Sequence, residues 1–365
     1  MSAPWPEGNA ILYCEGAFAT TYGKTAHGLV RRSERYRVLS VIDSTAAGGD
    51  AGELLDGRPN GIAVHAGLDA ALAAASEAGL PATHFVVGLA TDGGRLPATG
   101  RAAVEEAIRS RLHVVCGLHD FLSEDPGLAA LAAEHGVTLV DVRKPPPRDE
   151  LHFFSGKIEE IGALRLAVLG TDSAVGKRTT AWLLVDELRR RGRPAELVGT
   201  GQTAWLQGAR YSLVLDSLIS DFITGEIEHA AWRAWEGERP AVLVFEGQGS
   251  LLNPAYPGGY ELLAASRPAA VILQHAPARL AYDGFPGYAL HPLEHQIRAI
   301  EVISSRPVVA VTINHEGLDR DAVRRAADAI TAETGLPAFD VLRDGAGPLA
   351  AIAEDLLARR AERPS

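Results

Sequence analysis

One segment limits what this chain can fold into more than any other: LRLAVLGTDSAVGKRTTAWLLVDELRRRG, from Leu164 to Gly192. An apolar run suited to a buried strand enters a turn with two glycines, continues as Gly-Lys and two threonines, and leaves as an amphipathic helix. In such a turn the backbone N–H groups converge with the positive end of the helix, which makes a nest for phosphate oxygens. The spacing predicts a phosphate-binding loop, or P-loop, made of Gly170, Thr171, Asp172, Ser173, Ala174, Val175, Gly176, Lys177, Arg178, Thr179 and Thr180. Lys177 is placed to reach terminal phosphates, and Thr179 or Thr180 to offer a hydroxyl to a phosphate or to Mg²⁺. Two departures stand out. Five residues separate Gly170 from Gly176 where four are usual, and Arg178 follows the lysine where Ser or Thr is usual. No residue is assigned to a metal. A second Gly-Lys-Thr, Gly23–Lys24–Thr25, has no compact glycine turn before it and is expected to be ordinary surface structure.

The rest of the chain repeats the alternation of apolar runs and helical segments that builds parallel sheets. At 365 residues it exceeds what one core organises. Strands are predicted at Ala10–Cys14, Arg37–Ile42, Gly61–Val64, His84–Val87, His113–Cys116 and Thr138–Val142, with helices such as Leu68–Ala78 and Ala102–Ser110. A second series follows at Leu164–Leu169, Ala195–Val198, Val242–Phe245, Ala270–Leu273, Val308–Ile313 and Ala338–Val341. Its helices are predicted at Arg178–Arg190, Ser217–Trp235, Leu293–Ser304, Asp319–Thr334 and Leu349–Arg360. Between the series, KPPPRDELHFFSGK breaks periodic structure. The expectation is an α/β protein of two doubly wound, mostly parallel sheets: a Rossmann-like domain over 1–147 and a P-loop NTPase-like domain over 148–365.

An apolar fraction of 47% and a charged fraction of 22% are those of a globular chain. The net charge of −11 opposes non-specific binding to nucleic acid or anionic lipid, so a small-molecule substrate is expected, with no nucleic-acid and no membrane partner. MSAPWPEGNAILYCEG lacks the basic start and apolar core of a secretion signal, and a cytoplasmic location is expected. Cys14 and Cys116 end apolar runs and are expected to be buried, reduced thiols. The chain is expected to form a homo-oligomer.

Ligands of open α/β sheets collect at the carboxyl ends of the strands, and most candidate residues lie there. Glu246 ends the run AVLVF, where a carboxylate holds Mg²⁺ through water or accepts a substrate proton. Gly247, Gln248 and Gly249 follow it as backbone or side chains close to substrate. His275 ends another strand and is a second base candidate. Asp221 and Glu228, with Thr224, share one face of a predicted helix and form a third acidic candidate, and Asp216 stands before them as either an N-cap or a ligand. Gln202, Thr203, Arg279 and Asn314 lie near the same rim, Arg279 as a partner for a substrate carboxylate. In the first half Arg31, Arg32, His119 and Asp120 fit interface structure better than a second ligand site, and Arg143 lies in the connector.

With these residues in view the chain resembles the D-glutamate N-acetyltransferase family, over nearly its whole length. The carrying segments are GKTAHGLVRR, VIDSTAAGGDAGE, CGLHDFLSEDP and DVRKPP in the first half. In the second half they are GTDSAVGKRTTA, GTGQT, LDSLISDFITGEIEH, EGQGSLLNPAY and LQHAPAR. The resemblance implies Rossmann-like and P-loop halves and acetyl transfer from acetyl-CoA to the amine of a D-amino acid, part of D-amino acid metabolism. It places Glu246, Asp221 or His275 at the amine. GTDSAVGK and the Glu-Gly-x-Gly strand end also resemble dethiobiotin synthetases, which implies an ATP- and Mg²⁺-dependent ligase or kinase instead. The loop alone does not choose, because coenzyme A carries the pyrophosphate that ATP does. A third alternative is a nucleotide-binding switch without turnover. An epimerase fits poorly, since the first strand leads to Glu15–Gly16–Ala17 and not to Gly-x-Gly-x-x-Gly.

Overall fold

A computed structural model describes residues 6–362. The first residues of the stretch read for a secretion signal therefore lie outside it. The chain divides into two compact units, one running to Pro146 and including Gln202–Gly208, the other holding Pro147–Gly201 and the chain from Ala209 onward. Both are mostly parallel α/β sheets with helices.

In the first unit the strands β1 Gly8–Tyr13, β2 Tyr36–Ile42, β3 Ala63–His65, β4 His84–Val87, β5 His113–Cys116 and β6 Leu139–Asp141 pair in parallel in the order β3-β2-β1-β4-β5-β6. This is the Rossmann order. Sheets covered on both faces need strands apolar on both sides, and Ile11, Leu12, Phe85, Val86, Val87 and Val114 are fully buried. Cys14 and Cys116 are buried and free, and burial pushes the Cys116 thiol up to about 12.

The expectation of surface structure at Gly23–Thr25 holds for Lys24, which is exposed, and fails for its neighbours. Helix Lys24–Arg31 begins there with Gly23 and Thr25 buried, and a Cβ on Gly23 would meet the Ala17 carbonyl oxygen at 2.7 Å. The same helix packs so closely on the end of β4 that a Cβ on Gly88 would lie 2.7 Å from that of Ala26. Helix Lys24–Arg31 thus lies directly against a strand end at the switch point of this sheet. Helix Gln202–Gln207 completes the unit: Thr203 and Thr25 share a hydrogen bond at 3.2 Å, Gln207 donates to the Gly28 carbonyl at 2.7 Å, and Arg35 lies over the Trp205 ring.

The second unit is a seven-stranded sheet in the order β15-β14-β11-β7-β10-β8-β9. Its strands are β7 Leu164–Gly170, β8 Ala195–Gly199, β9 Tyr211–Ser212, β10 Val242–Glu246, β11 Ala270–His275, β14 Val308–Ile313 and β15 Ala338–Phe339. All its pairings are parallel, so β7, β8, β10 and β11 end on one edge. Between β11 and helix Leu293–Ser304 lies an antiparallel hairpin, β12 Ala281–Tyr282 with β13 Phe285–Ala289, which periodicity does not reveal because Pro286 and the glycines interrupt it.

Boundaries differ where a cap decides them. The strand expected to Val341 stops at Phe339, because Asp340 caps the next turn through the Leu342 N–H. The helix expected from Ser217 starts at Ser220, after a 3₁₀ turn over Leu215–Ser217. No helix among the described residues is long and apolar enough to cross a membrane.

His84 opens β4 beside His113, with ring centroids 5.2 Å apart, and burial followed by the His113 charge lowers its pKa to about 4. The unfolded chain, with an ordinary histidine near 6.5, therefore binds more protons between about pH 4 and 6.5. Stability contributed by neutral His84 is present above that window and is lost as pH falls through it. Urea midpoints measured from pH 7 to 4 are expected to fall less in His84→Gln than in the parent, and parallel pH dependences would sink the assignment.

Candidate functional site

The site begins where β7 ends. A Cβ on Gly170 would meet Val175 at 2.8 Å and Lys177 at 2.9 Å, so the loop folds back over a residue that must lack one. Ala174 (φ 51°) and Gly176 (φ 106°) take left-handed conformations. Thr171 donates its N–H to the Gln274 carbonyl at 2.9 Å, and Ser173 donates to the Asp172 carboxylate at 2.7 Å. Among the described residues, the N–H groups of Ala174, Val175 and Gly176 engage no protein acceptor. They lead into helix Lys177–Arg190, whose positive end adds to them. Lys177, 7% exposed, lies across the loop and donates to the carbonyls of Asp172 (2.6 Å) and Gly249 (2.7 Å). An anion in the loop offers this cation a stronger, charge-assisted bond than a carbonyl does.

Asp172 fixes this geometry. Its carboxylate, fully buried, accepts from the Ser173 N–H, Asn253 Nδ2 (2.8 Å), Arg279 Nη1 (3.0 Å) and the Asp283 N–H (2.9 Å). Arg279 also donates to the Ser173 carbonyl and pairs with Glu316. The residue expected to take a substrate carboxylate is thus engaged in bracing the loop.

On one side of β7, strand β10 delivers Glu246, 3% exposed and fixed by the Thr200 N–H at 3.3 Å. Burial pushes its carboxyl above the ordinary range, opposed by the Arg178 charge, the Thr200 hydrogen bond and Lys177. Gly247 follows so close to β7 that a Cβ would lie 2.7 Å from the Val168 carbonyl oxygen, and Gly249 (φ 51°) would meet that of Tyr256 at 2.0 Å. Gln248 donates to the Thr200 hydroxyl at 3.1 Å.

On the other side, β11 delivers His275, whose Nδ1 is 3.0 Å from the Thr171 hydroxyl, and burial lowers its pKa to about 4. The Thr180 hydroxyl is given to Gln274 Oε1, and Arg178, not a hydroxyl residue, follows Lys177. Thr179 is half-buried in the first turn of the helix. Asn314 reaches in from the end of β14 and donates to the Val175 carbonyl at 3.0 Å.

The remaining candidates have the following partners. Thr203 is bonded to Thr25, and Gln202 packs against Gly117, both within the first unit. Asp221 is exposed in the first turn of helix Ser220–Glu238. Glu228, seven residues on, is buried and accepts from the Ser155 N–H (2.7 Å) and hydroxyl (2.7 Å) and the Ile158 N–H (3.1 Å), so it ties down the connector. Asp216 lies inside the 3₁₀ turn, while the N-cap position of the helix belongs to Ile219. In the first unit Arg31 pairs with Asp56, Arg32 with Glu34, Asp120 accepts from the Leu96 N–H, and Arg143 donates to the Gly117 carbonyl. Periodicity and motif spacing do not single out Asn253, Asp283 or Gln274. The last carries a signal all the same, being a buried polar residue that, with His275, ends the apolar strand β11.

Comparison with known proteins bears on this arrangement. Residues 152–350 match a family model described as a domain of unknown function (DUF1611_C), P-loop domain. Residues 44–145 match the companion model DUF1611_N, a Rossmann-like domain. A protein of Tritonibacter scottomollicae named D-glutamate N-acetyltransferase is 31% identical over 73% of this chain and 79% of its own length. One from a Pseudoalteromonas species with the same name is 30% identical over 80% of this chain and 87% of its own. A crystal structure of a DUF1611 family protein from Anabaena variabilis superposes with a TM-score of 0.87 at 30% identity, covering 96% of this chain and all of that one.

The hydrogen bonds of Glu228 make it a structural residue. Its replacement by alanine leaves two backbone N–H groups without their acceptor and is expected to cost about 1–3 kcal/mol. Chemical denaturation should register that loss with turnover unchanged. A raised substrate KM with undiminished stability would return Glu228 to the substrate site.

Proposed function

This chain belongs to the D-glutamate N-acetyltransferase family of DUF1611 proteins and is an acyltransferase, and from that footing we propose that it moves an acetyl group from acetyl-CoA to the amine of a D-amino acid, with D-glutamate the first candidate. The observation that supports the donor assignment is the set of unspent N–H groups at Ala174, Val175 and Gly176 beside the buried Lys177. A pyrophosphate matches them in charge and in acceptor count.

Glu246 is the base proposed for the acceptor. An ammonium group must lose a proton before its nitrogen attacks the thioester carbon, and a carboxylate made more basic by burial takes that proton more readily than an ordinary one. Collapse of the tetrahedral adduct then expels the coenzyme A thiolate. His275 is neutral at physiological pH, since its pKa near 4 lies well below it, and its contact with Thr171 supports a role in holding the loop. The ATP·Mg²⁺ ligase reading receives less support, because the position that usually gives the metal a hydroxyl holds Arg178 and the Thr180 hydroxyl is given to Gln274, which leaves that role to Thr179 alone.

Purified protein incubated with D-glutamate and acetyl-CoA is expected to yield N-acetyl-D-glutamate and a free thiol by mass spectrometry and thiol titration, with neither ATP nor divalent metal added. Absence of product, or product only with ATP, would remove the proposal. Lys177→Ala is expected to raise the KM for acetyl-CoA by about 10- to 100-fold, the loss of one charge-assisted contact. Glu246→Gln is expected to lower kcat by about 10²- to 10⁴-fold and to leave donor affinity within a small factor of the parent.

A further inference from the structure

We propose that the side-chain amide of Gln274 is a further donor to the anion in the Gly170–Thr180 loop, and that Thr180 and Thr312 serve to aim it. The proposal rests on the reading that this loop holds donor phosphates.

Gln274 sits in β11 opposite Gly170 of β7, and 2% of it is exposed. Its backbone carbonyl takes the Thr171 N–H, so the residue already grips the start of the loop. Its side-chain oxygen accepts two hydroxyl protons, from Thr180 and from Thr312 at 2.5 Å. As placed, the atom facing both hydroxyls is the carbonyl oxygen, which has a lone pair for each proton. The NH₂ end is thereby turned the other way, and a Cβ placed on Gly176 would lie 3.8 Å from Nε2. Gly176 is the residue whose N–H opens the helix end of the nest.

Among the described residues Nε2 donates to no protein group. The nitrogen is not sealed off from solvent, unlike Arg178 Nε nearby, so its protons stay available to an acceptor in the loop. An anion in the nest supplies the missing acceptor. The network also explains Thr180: at the third position after Gly-Lys it orients the amide and touches no ligand. A neutral donor here adds a hydrogen bond without adding charge, and this suits a site that already places Lys177 and Arg178 beside the phosphates.

The probes are inorganic pyrophosphate and coenzyme A, titrated calorimetrically into the full chain without metal. Gln274→Leu is expected to weaken both about tenfold, the usual value of a hydrogen bond to a charged group. Gln274→Glu is expected to weaken them more, by repulsion. Thr180→Val is expected to lose part of the affinity and Thr180→Ser to recover it, which a merely structural threonine would not require.

Parent-like affinity in Gln274→Leu, with Lys177→Ala showing the expected loss, overturns the amide's role and leaves the loop reading standing. Loss in Gln274→Leu with none in Lys177→Ala upholds the amide as a donor and removes Lys177 from the anion site. Failure of the parent to bind either probe sinks both. Should Gln274→Leu not fold, Thr180→Val and Thr180→Ser decide the matter, and equal parent-like affinities in the two overturn it.

Discussion

The candidate site depends on one buried carboxylate. Asp172 has no exposed surface, yet four donors from four segments converge on it: the loop's own Ser173 N–H, Asn253 from the segment after β10, Arg279 from that after β11, and the Asp283 N–H of the hairpin. A carboxylate out of water is tolerated only when its lone pairs are filled in this way. Because each donor comes from a different stretch of chain, filling them fixes where those stretches lie. The glycine turn of the P-loop is thus held open from outside, by bonds on its flank, and its inner N–H groups need not be spent to stabilise it.

That division of labour separates this loop from a plain strand-to-helix turn. A turn that satisfied its own amides would be stable and chemically inert. Here the closing bonds are made by Thr171, Asp172 and Ser173, and the amides of Ala174 to Gly176 are left over. The first unit gives the contrasting case on a sheet of equally suitable order. At its switch point Ala26 donates its N–H to the Gly88 carbonyl at 3.0 Å, and its methyl group occupies the space beside that glycine. Strand order supplies the crevice, but the residues at the strand ends decide whether anything is left unsatisfied in it.

Sequence legibility follows the same line. The strands are readable because a parallel strand buried on both faces must be apolar, and the runs Val242–Phe245 and Ala270–Leu273 can hardly be anything else, although the strands continue to Glu246 and His275. The loop was readable because Gly170, Gly176 and Lys177 are constrained by backbone geometry over a short span. Distant pairings were not. Glu228 and Asp221 share a helix face by spacing, but only the path of the connector shows that Glu228 is taken by Ser155 and Ile158. Arg279 looked like a carboxylate receptor, and it is one, for Asp172 and Glu316. Helix Gln202–Gln207 follows a strand of the second sheet and packs with the first unit, a choice made by Thr25, Gly28 and Arg35 far away in sequence. In each case the side chain's type was informative and its partner was not.

The charges around Glu246 link the two halves of the proposed reaction. Burial makes this carboxyl harder to ionise, while Arg178 and Lys177 pull in the opposite direction. In a site this enclosed their attraction is weakly screened, so the basicity of Glu246 depends on what else those cations face. A phosphate in the nest would engage Lys177 and Arg178 and lessen their hold on the carboxylate, and burial would then act with less opposition. On the proposed reading the base is therefore weakest with the loop empty and strongest with donor bound, so proton removal from the amine is favoured when an acetyl group is present to receive the attack. This ordering needs no moving part. It follows from placing an acid at the end of β10, one strand from the loop, with the loop's own cations as its counterions.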